Sequence, residues 1–316
     1  MRVLLTGSSG WLGRFLAPRL RAGGHAVVGL DPARGAETTV RGSIADRPLV
    51  DRIFAEHGID AVVHAGALHK PDIARYPAQA FVDVNVTGTL NLLEAAHANG
   101  CGRFVFTSTT SLMITEAIRR ETAGAAAWLD ETTGPLEPRN IYGVTKLAAE
   151  GLCRLFAVEH GLPCVILRTG RFFPEEDDTL RDLSGPNLKA NEFLHRRLTV
   201  EDACEAHMAA LERAPTLGFG LFVIAAPTPF ARDDAGMLRR DAASVVARLY
   251  PDAPALYARV GWRLPARIGR VYDASHAERT LGFRCRADFA AILAALRDGA
   301  PLPFAHDPNY VSPLVL

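Results

Sequence analysis

The stretch Thr6-Gly7-Ser8-Ser9-Gly10-Trp11-Leu12-Gly13 constrains this chain more than any other. Before it, the apolar run over residues 2–6 reads as a strand. After it, helical spacing over residues 11–21 ends at Gly23-Gly24. Glycines between a strand and a helix permit a tight turn, let backbone come close to a ligand, and leave a helix N-terminus aimed at negative charge. As the first strand-to-helix turn of the chain, the loop reads as a pyrophosphate cradle, so a dinucleotide is the expected ligand. Its G-x-x-G-x-x-G spacing departs from the G-x-G-x-x-G fingerprint, and a bare turn is the plainer meaning of such glycines standing alone.

Strand and helix signals then alternate, which argues for a parallel sheet covered on both faces. Strands are expected over residues 26–30, 61–64, 103–107 and 164–167, and helices over 48–57, 78–99 and 144–160. The helix over 78–99 would carry Val82, Val86, Leu90, Leu93 and Ala96 on one face. After Arg168 the pattern turns irregular. Residues 172–191 are rich in charge, proline and glycine. Helix is expected over 200–211, 274–281 and 289–297, strand over 221–225, mixed structure over 227–265 and an extended tail over 301–316. The expected fold is α/β: a doubly wound parallel Rossmann sheet with a smaller, interleaved C-terminal substrate-binding part. Residues 1–168 would form the dinucleotide-binding domain. Residues 169–316 would be mainly substrate-binding, with segments near 200–226 and 271–298 returning to the Rossmann core.

With 35 Lys+Arg against 35 Asp+Glu, the formal net charge is zero, which removes the usual case for nucleic acid or an anionic membrane as partner. No run approaches the roughly 20 apolar residues of a membrane span, and Val3-Leu4-Leu5 is too short for a signal peptide. Cys101, Cys153, Cys164, Cys204 and Cys285 are scattered and form no C-x-x-C, which reads as reduced thiols in the cytoplasm. His64 and His69 fit no metal-ligand pattern, and no metal is expected.

Three features carry chemistry. Asp31 ends the second strand 18 residues after Gly13; a carboxylate there takes ribose hydroxyls and repels a 2′-phosphate. NAD is therefore favoured, with Arg34 close enough to leave NADP open. Tyr142-Gly143-Val144-Thr145-Lys146 opens a helix, and a spacing of four sets phenol and ammonium on one face. A Lys⁺ beside the phenol is expected to lower its pKa, readying Tyr142 to exchange a proton with a substrate hydroxyl. Ser108-Thr109-Thr110-Ser111 follows the strand over 103–107, where parallel-sheet ligands lie; one hydroxyl can hold the substrate oxygen, while the others bond their own turn.

Together these residues resemble the extended short-chain dehydrogenases, the family of NAD-dependent epimerases and dehydratases. The resemblance runs through the T-G-x-x-G-x-x-G loop, His64-Ala65-Gly66-Ala67, Asn85-Val86-Thr87-Gly88-Thr89, Tyr142 and Lys146, and Leu167-Arg168. It continues through Val200-Glu201-Asp202, Tyr272-Asp273-Ala274-Ser275 and Leu281-Gly282-Phe283. It implies that Tyr142 is the acid/base, that Lys146 lowers its pKa and holds the nicotinamide ribose, and that Thr109 takes the serine/threonine role. The implied cofactor contacts are Gly7, Ser9, Gly10, Trp11, Leu12, Gly13, Asp31, Ser43, Ile44, His64, Ala65, Gly66, Ala67, Asn85, Thr107, Tyr142, Lys146, Arg168 and Phe172. It also implies a homodimer through helices 81–97 and 144–160.

The departures narrow the function. Family dehydratases carry Asp-Glu after the catalytic threonine; here Thr110-Ser111 stands there, so dehydration is disfavoured. Only 33 residues separate Arg168 from Asp202, short for a nucleotide-diphosphate clamp, which points to a free sugar, a sugar acid or a sugar phosphate. Ser111, Arg171, Lys189, His195, Arg196 and Arg197 are the candidate substrate contacts, although such runs are commonly solvated charge. Ser43 replaces the usual acidic adenine contact. An insertion over residues 116–127 reads either as a lid or as a surface turn. The expected activity is an NAD-dependent dehydrogenase on a sugar-like carbinol. The alternatives are a nucleotide-sugar epimerase that recycles its hydride, such as a 4-epimerase, and a non-catalytic NAD-binding regulator.

Overall fold

The computed structural model describes residues 1–176 and 182–313. Parts of the irregular segment over 172–191 and of the tail over 301–316 therefore lie outside the described residues. In chain order the first half runs β1 (Arg2–Thr6), α1 (Trp11–Ala22), β2 (Ala26–Asp31), β3 (Val40–Arg41), α2 (Arg47–His57) and β4 (Ala61–His64). It continues with α3 (Ala78–Phe81), a π-helical stretch (Val82–Thr87), α4 (Gly88–Ala98), β5 (Arg103–Thr109), α5 (Glu116–Arg120), β6 (Ala127–Leu129), α6 (Ile141–His160) and β7 (Cys164–Thr169). The second half adds α7 (Gly185–Glu192), α8 (Val200–Leu217), β8 (Phe219–Ile224), α9 (Ala235–Leu249), α10 (Ala253–Arg259), β9 (Arg270–Tyr272), α11 (Ser275–Leu281) and α12 (Phe289–Asp298).

Seven strands form one parallel sheet in the order β3-β2-β1-β4-β5-β7-β8. The chain winds outward from β1 to β3, then returns to β4 on the other side. Between β1 and β4 the crossovers leave in opposite directions, so the crevice at the carboxyl ends of the strands opens there. Near-continuous apolar strands such as Val3-Leu4-Leu5 and Ala61-Val62-Val63, all buried, are what two covered faces require. One face packs on α1 and α8 through Leu16, Leu20, Ala203 and Ala210. The other packs on α2, α4 and α6 through Phe54, Leu92 and Cys153.

A third core joins α7, α9, α10 and α12 through Phe193, Leu238, Tyr257 and Leu293, and forms the C-terminal part. The expected return of residues 271–298 to the Rossmann core holds for α11, whose Ala277 and Leu281 join the first cluster. It fails for α12, whose Phe289, Ile292 and Leu293 pack in the third. The single helix expected over 78–99 is also broken. Its β-branched run over 82–87 opens into a wider turn, and Asn85 bonds the Leu68 main chain from that turn.

The insertion over 116–127 is tied down rather than free. Its β6 pairs with β9 in a two-stranded parallel sheet, with Ala127 opposite Arg270. Helix α6 starts earlier than the expected residue 144, because Asn140 caps it: the side-chain oxygen accepts from Gly143 N at 2.9 Å. Tyr142 thus stands in the first turn, beside the ends of β4 and β5.

Candidate active site

Two cavities meet at the strand ends. The first is a cleft over the glycine loop, lined by Gly7, Gly10, Trp11, Leu12, Asp31, Ser43, Ile44, Ala65, Gly66, Ala67, Thr107 and Phe172. Gly7 lies at φ +73°, and a Cβ there would fall 2.8 Å from Gly66 N. A Cβ on Gly13 would fall 2.1 Å from the Gly7 carbonyl, so Gly13 packs the helix against the loop and does not line the cleft. Gly10 caps α1 without a side-chain hydrogen bond, leaving its first N–H groups for an anion in the cleft.

The Asp31 carboxylate closes the far end of the loop. It accepts from Ser9 N at 3.0 Å and Ala33 N at 2.8 Å; burial raises its pKa while these two bonds pull it down. Each oxygen keeps a second lone pair for a ribose hydroxyl. Leu30, Ile44 and Val84 supply apolar walls for a base. An adenine dinucleotide fits this set: an open helix end for phosphate, a carboxylate for ribose, an apolar slot for a ring.

Several expected cofactor contacts do other work. His64 is buried between Thr6 Oγ1 at 2.8 Å and Thr89 Oγ1 at 2.9 Å. Asn85 spends its amide on Leu68 and on Thr145 Oγ1. Arg168 is buried in an ion pair with Glu150 at 2.7 Å, and Ser108 Oγ donates to the same carboxylate at 2.6 Å. Ser9 Oγ bonds Ala33 O and Thr38. None of these four side chains lines the cleft. They hold the walls in place.

The second cavity, about 590 Å³, is lined by Tyr142, Lys146, Thr109, Ser111, Arg171 and Arg196, and shares Phe172, Phe173 and His69 with the cleft. Thr109 Oγ1 lies 2.6 Å from Ser111 Oγ, and the Thr109 side chain faces the Tyr142 phenol closely enough to lower its pKa. Thr110 instead reaches the Thr169 carbonyl at 3.3 Å. The Lys146 ammonium donates to the Thr107 carbonyl at 2.6 Å and sits 3.9 Å above the Phe106 ring. The Tyr142 phenol is not lowered as expected. Burial pushes it up to about 12, against the pull of Thr109, while burial drives Lys146 down to about 7.

Three of the expected substrate contacts lie elsewhere. Lys189 donates to the Pro174 carbonyl and lies 2.7 Å from His306 Nδ1. His195 bonds Arg270 O at 2.9 Å. Arg197 is buried against Glu192 at 2.7 Å and donates to the Phe173 carbonyl. Burial removes them from the cavity and makes them scaffold.

Other lining residues escaped the sequence reading. His69, held near pKa 4 by burial, lies at the junction of both cavities with its ring 6.1 Å from Tyr142. Its place five residues past His64 was the available signal. Ser312 and Pro313 of the tail wall the cleft, anchored by Tyr310 packing edge-on to Trp11 at 5.1 Å. Arg119, Arg139 and Arg270 line the second cavity from three separate segments, which no local pattern announces.

The chain resembles known proteins along most of its length. The model of the NAD-dependent epimerase/dehydratase family matches residues 3–184. The L-arabinose 1-dehydrogenase (NAD(P)(+)) of Haloferax volcanii is 33% identical over 175 residues, 54% of this chain and 66% of that protein. The dTDP-glucose 4,6-dehydratase of Streptomyces antibioticus is 31% identical over 237 residues, 65% of this chain and 66% of that one. The matched stretches span 48 to 66% of the first three curated relatives. The crystal structure of UDP-glucose 4-epimerase from Thermotoga maritima with UDP-glucose superposes with a TM-score of 0.65 at 20% identity, covering 95% of this chain and 99% of that one. At that identity the likeness is one of fold.

Proposed function

The chain belongs to the NAD-dependent epimerase/dehydratase family, and from that premise we propose that it is an NAD-dependent oxidoreductase acting at a carbinol or carbonyl carbon of a sugar-like substrate. The observation that carries the reading is that Tyr142, Thr109 and Lys146 line one 590 Å³ cavity, which opens from the glycine-loop cleft and shares His69, Phe172 and Phe173 with it. Gly10, Trp11 and Leu12 would hold the cofactor's pyrophosphate and Asp31 its adenosine ribose, with Phe172 and Phe173 screening the reacting end from water. Bound NAD would supply the hydride acceptor and, oxidised, a positive charge near the phenol.

The proton chemistry belongs to the chain. Thr109 holds the substrate oxygen, and Tyr142 takes its proton as the carbon is oxidised or returns it on reduction. With its phenol near 12 in the free protein, Tyr142 holds its proton at neutral pH and gains acidity as positive charge gathers beside it. Lys146, fixed to the end of β5 and lowered to about 7, carries only part of a charge at neutral pH, so the acidifying charge would come chiefly from oxidised NAD.

A dehydratase relative makes the question of water elimination concrete. Thr110 and Ser111 offer hydroxyls where elimination needs a carboxyl acid and base. Two of the three glutamates facing the cavity are committed: Glu175 pairs with Arg171 at 3.2 Å, and Glu192 is held near 2 by Arg196 and Arg197 against the upward push of burial. We therefore read the chain as a dehydrogenase. One observation favours the epimerase alternative: the tail wall of Ser312 and Pro313 would slow cofactor exchange, as hydride recycling requires.

Near-ultraviolet absorbance with added NAD and a panel of aldoses, uronic acids and sugar phosphates tests this. Accumulating NADH supports the dehydrogenase. No NADH, with NAD released only on denaturation and nucleotide sugars interconverted, supports the epimerase. We further propose a cytoplasmic homodimer. Its five cysteines are all free thiols, and Val144, Leu155 and Val158 are exposed along α6, Val158 by 71%. Among the described residues no helix is long and apolar enough to cross a membrane.

A further inference from the structure

The substrate cavity is lined by seven Lys or Arg side chains (Lys70, Arg119, Arg139, Lys146, Arg171, Arg196, Arg270) against three of Glu (Glu175, Glu176, Glu192). Two of the three glutamates have a cationic partner: Glu175 pairs with Arg171 and Glu192 with Arg196. Glu176 lies 3.5 Å from His306, a ring whose pKa burial and then Lys189 lower. The surplus charge therefore rests on side chains those glutamates do not answer. Arg119 and Arg270 form no ion pair among the described residues, and Arg270 Nε is buried without a hydrogen-bond partner. Arg139 is fixed by its Nε on the Ile114 carbonyl at 3.1 Å, with Glu116 at 3.5 Å and half exposed.

Local packing brings the three segments that bear them to the same cavity. The Glu121 side chain, just past α5, lies against Gly269, where a Cβ would fall 2.2 Å from Glu121 Oε1. Ala127 N donates to the Gly269 carbonyl at 2.9 Å, closing the insertion onto β9. That brings the α5 segment bearing Arg119 against the strand bearing Arg270, and Arg139 reaches the start of the same insertion from the other side. A neutral sugar enclosed here would leave Arg270, whose Nε is already buried without a partner, still unanswered, a costly arrangement.

We propose that Arg119, Arg139 and Arg270 form an oxyanion subsite, so that the substrate is a sugar bearing a terminal carboxylate or phosphate. The planar guanidinium fork suits either group. The inference rests on the sugar-oxidoreductase reading, and adds that the charged end of the sugar points at the insertion while its reacting carbinol meets Tyr142 and Thr109.

The test is calorimetric binding to the protein saturated with NADH. The probes are aldohexoses of gluco, galacto and manno configuration, the matching uronates and the matching 6-phosphates. Wild type, Arg119→Gln and Arg270→Gln are compared. At least one charged series should bind about tenfold or more tightly than its neutral parent, and each substitution should erode that advantage by roughly 10- to 100-fold, the scale of a charge-assisted hydrogen bond. Whichever charged series keeps the larger advantage in wild type names the group. Arg119 is exposed and unpaired, so its variant reports the subsite even if Arg270→Gln folds poorly. Neutral sugars binding as tightly as charged ones, no charged sugar binding, or an advantage intact in Arg119→Gln would each overturn the proposal. Turnover with NAD separates the two readings. Arginine-dependent binding without NADH formation sinks the dehydrogenase and keeps the subsite, whereas NADH formed equally well from neutral sugars does the reverse.

Discussion

The ammonium of Lys146 donates to the main-chain carbonyl of Thr107 at 2.6 Å, which ties the catalytic helix α6 to the carboxyl end of β5. Among the described residues no carboxylate pairs with it directly, and burial lowers it to about 7 against the pull of Cys153 and Glu150. Between about pH 7 and its ordinary value near 10.5, the unfolded chain keeps a proton that the folded, cofactor-free chain has lost. Folding stability from this group therefore rises with pH across that window. Tyr142 acts oppositely: its phenol near 12 keeps a proton that the unfolded chain loses above about 10, so stability falls from there upward. Urea unfolding of wild type and Lys146→Met across this range checks the sign. The variant should show a flatter rise between about pH 7 and 10; an identical slope would refute it.

Asp31 holds the loop, accepting from Ser9 N at 3.0 Å and Ala33 N at 2.8 Å. In the proposed NAD site the same two oxygens would take the ribose hydroxyls and repel a 2′-phosphate. Asp31→Asn keeps one acceptor and removes the charge. The ratio of kcat/KM for NAD over NADP should drop about tenfold or more, chiefly through a lower KM for NADP. An unchanged ratio would place the selection elsewhere.

The Arg168–Glu150 pair, with both side chains about 95% buried, joins β7 to α6 and takes a further bond from Ser108 on β5. Glu150→Ala leaves a buried guanidinium without its counter-charge and should cost about 3–5 kcal/mol in chemical denaturation. Replacing both partners by apolar residues of similar size should recover most of that loss. Equal losses in the single and double variants would mean that the carboxylate contributes packing alone.

The glycine loop, Asp31, Thr109, Tyr142 and Lys146 were legible because each is a local pattern whose spacing has a geometric meaning. The carboxyl-end rule for parallel strands then brings them into one crevice. Residues whose role depends on a distant partner were not legible. Arg168 and Lys189 look like ligand-seeking cations until Glu150 and the Pro174 carbonyl appear beside them. Helix α7 was hidden for a related reason. Lys189, Asn191 and Glu192 are buried among partners from other segments, so the segment shows no apolar stripe and reads as a charged loop. Arg119, Arg139 and Arg270 are far apart in the chain and line one cavity only because β6 pairs with β9 and Arg139 reaches the Ile114 carbonyl.

The central claim is hydride transfer from a carbinol carbon with Tyr142 handling the hydroxyl proton. The most direct measurement uses a substrate from the sugar panel carrying deuterium at that carbon, and asks by mass spectrometry where the label goes. In wild type the deuterium should appear on the nicotinamide, or return to carbon at the inverted centre. In Tyr142→Phe its transfer should slow by about 10²- to 10⁴-fold with NAD binding retained. Deuterium washing out to solvent, or transfer at an undiminished rate in Tyr142→Phe, would contradict the account.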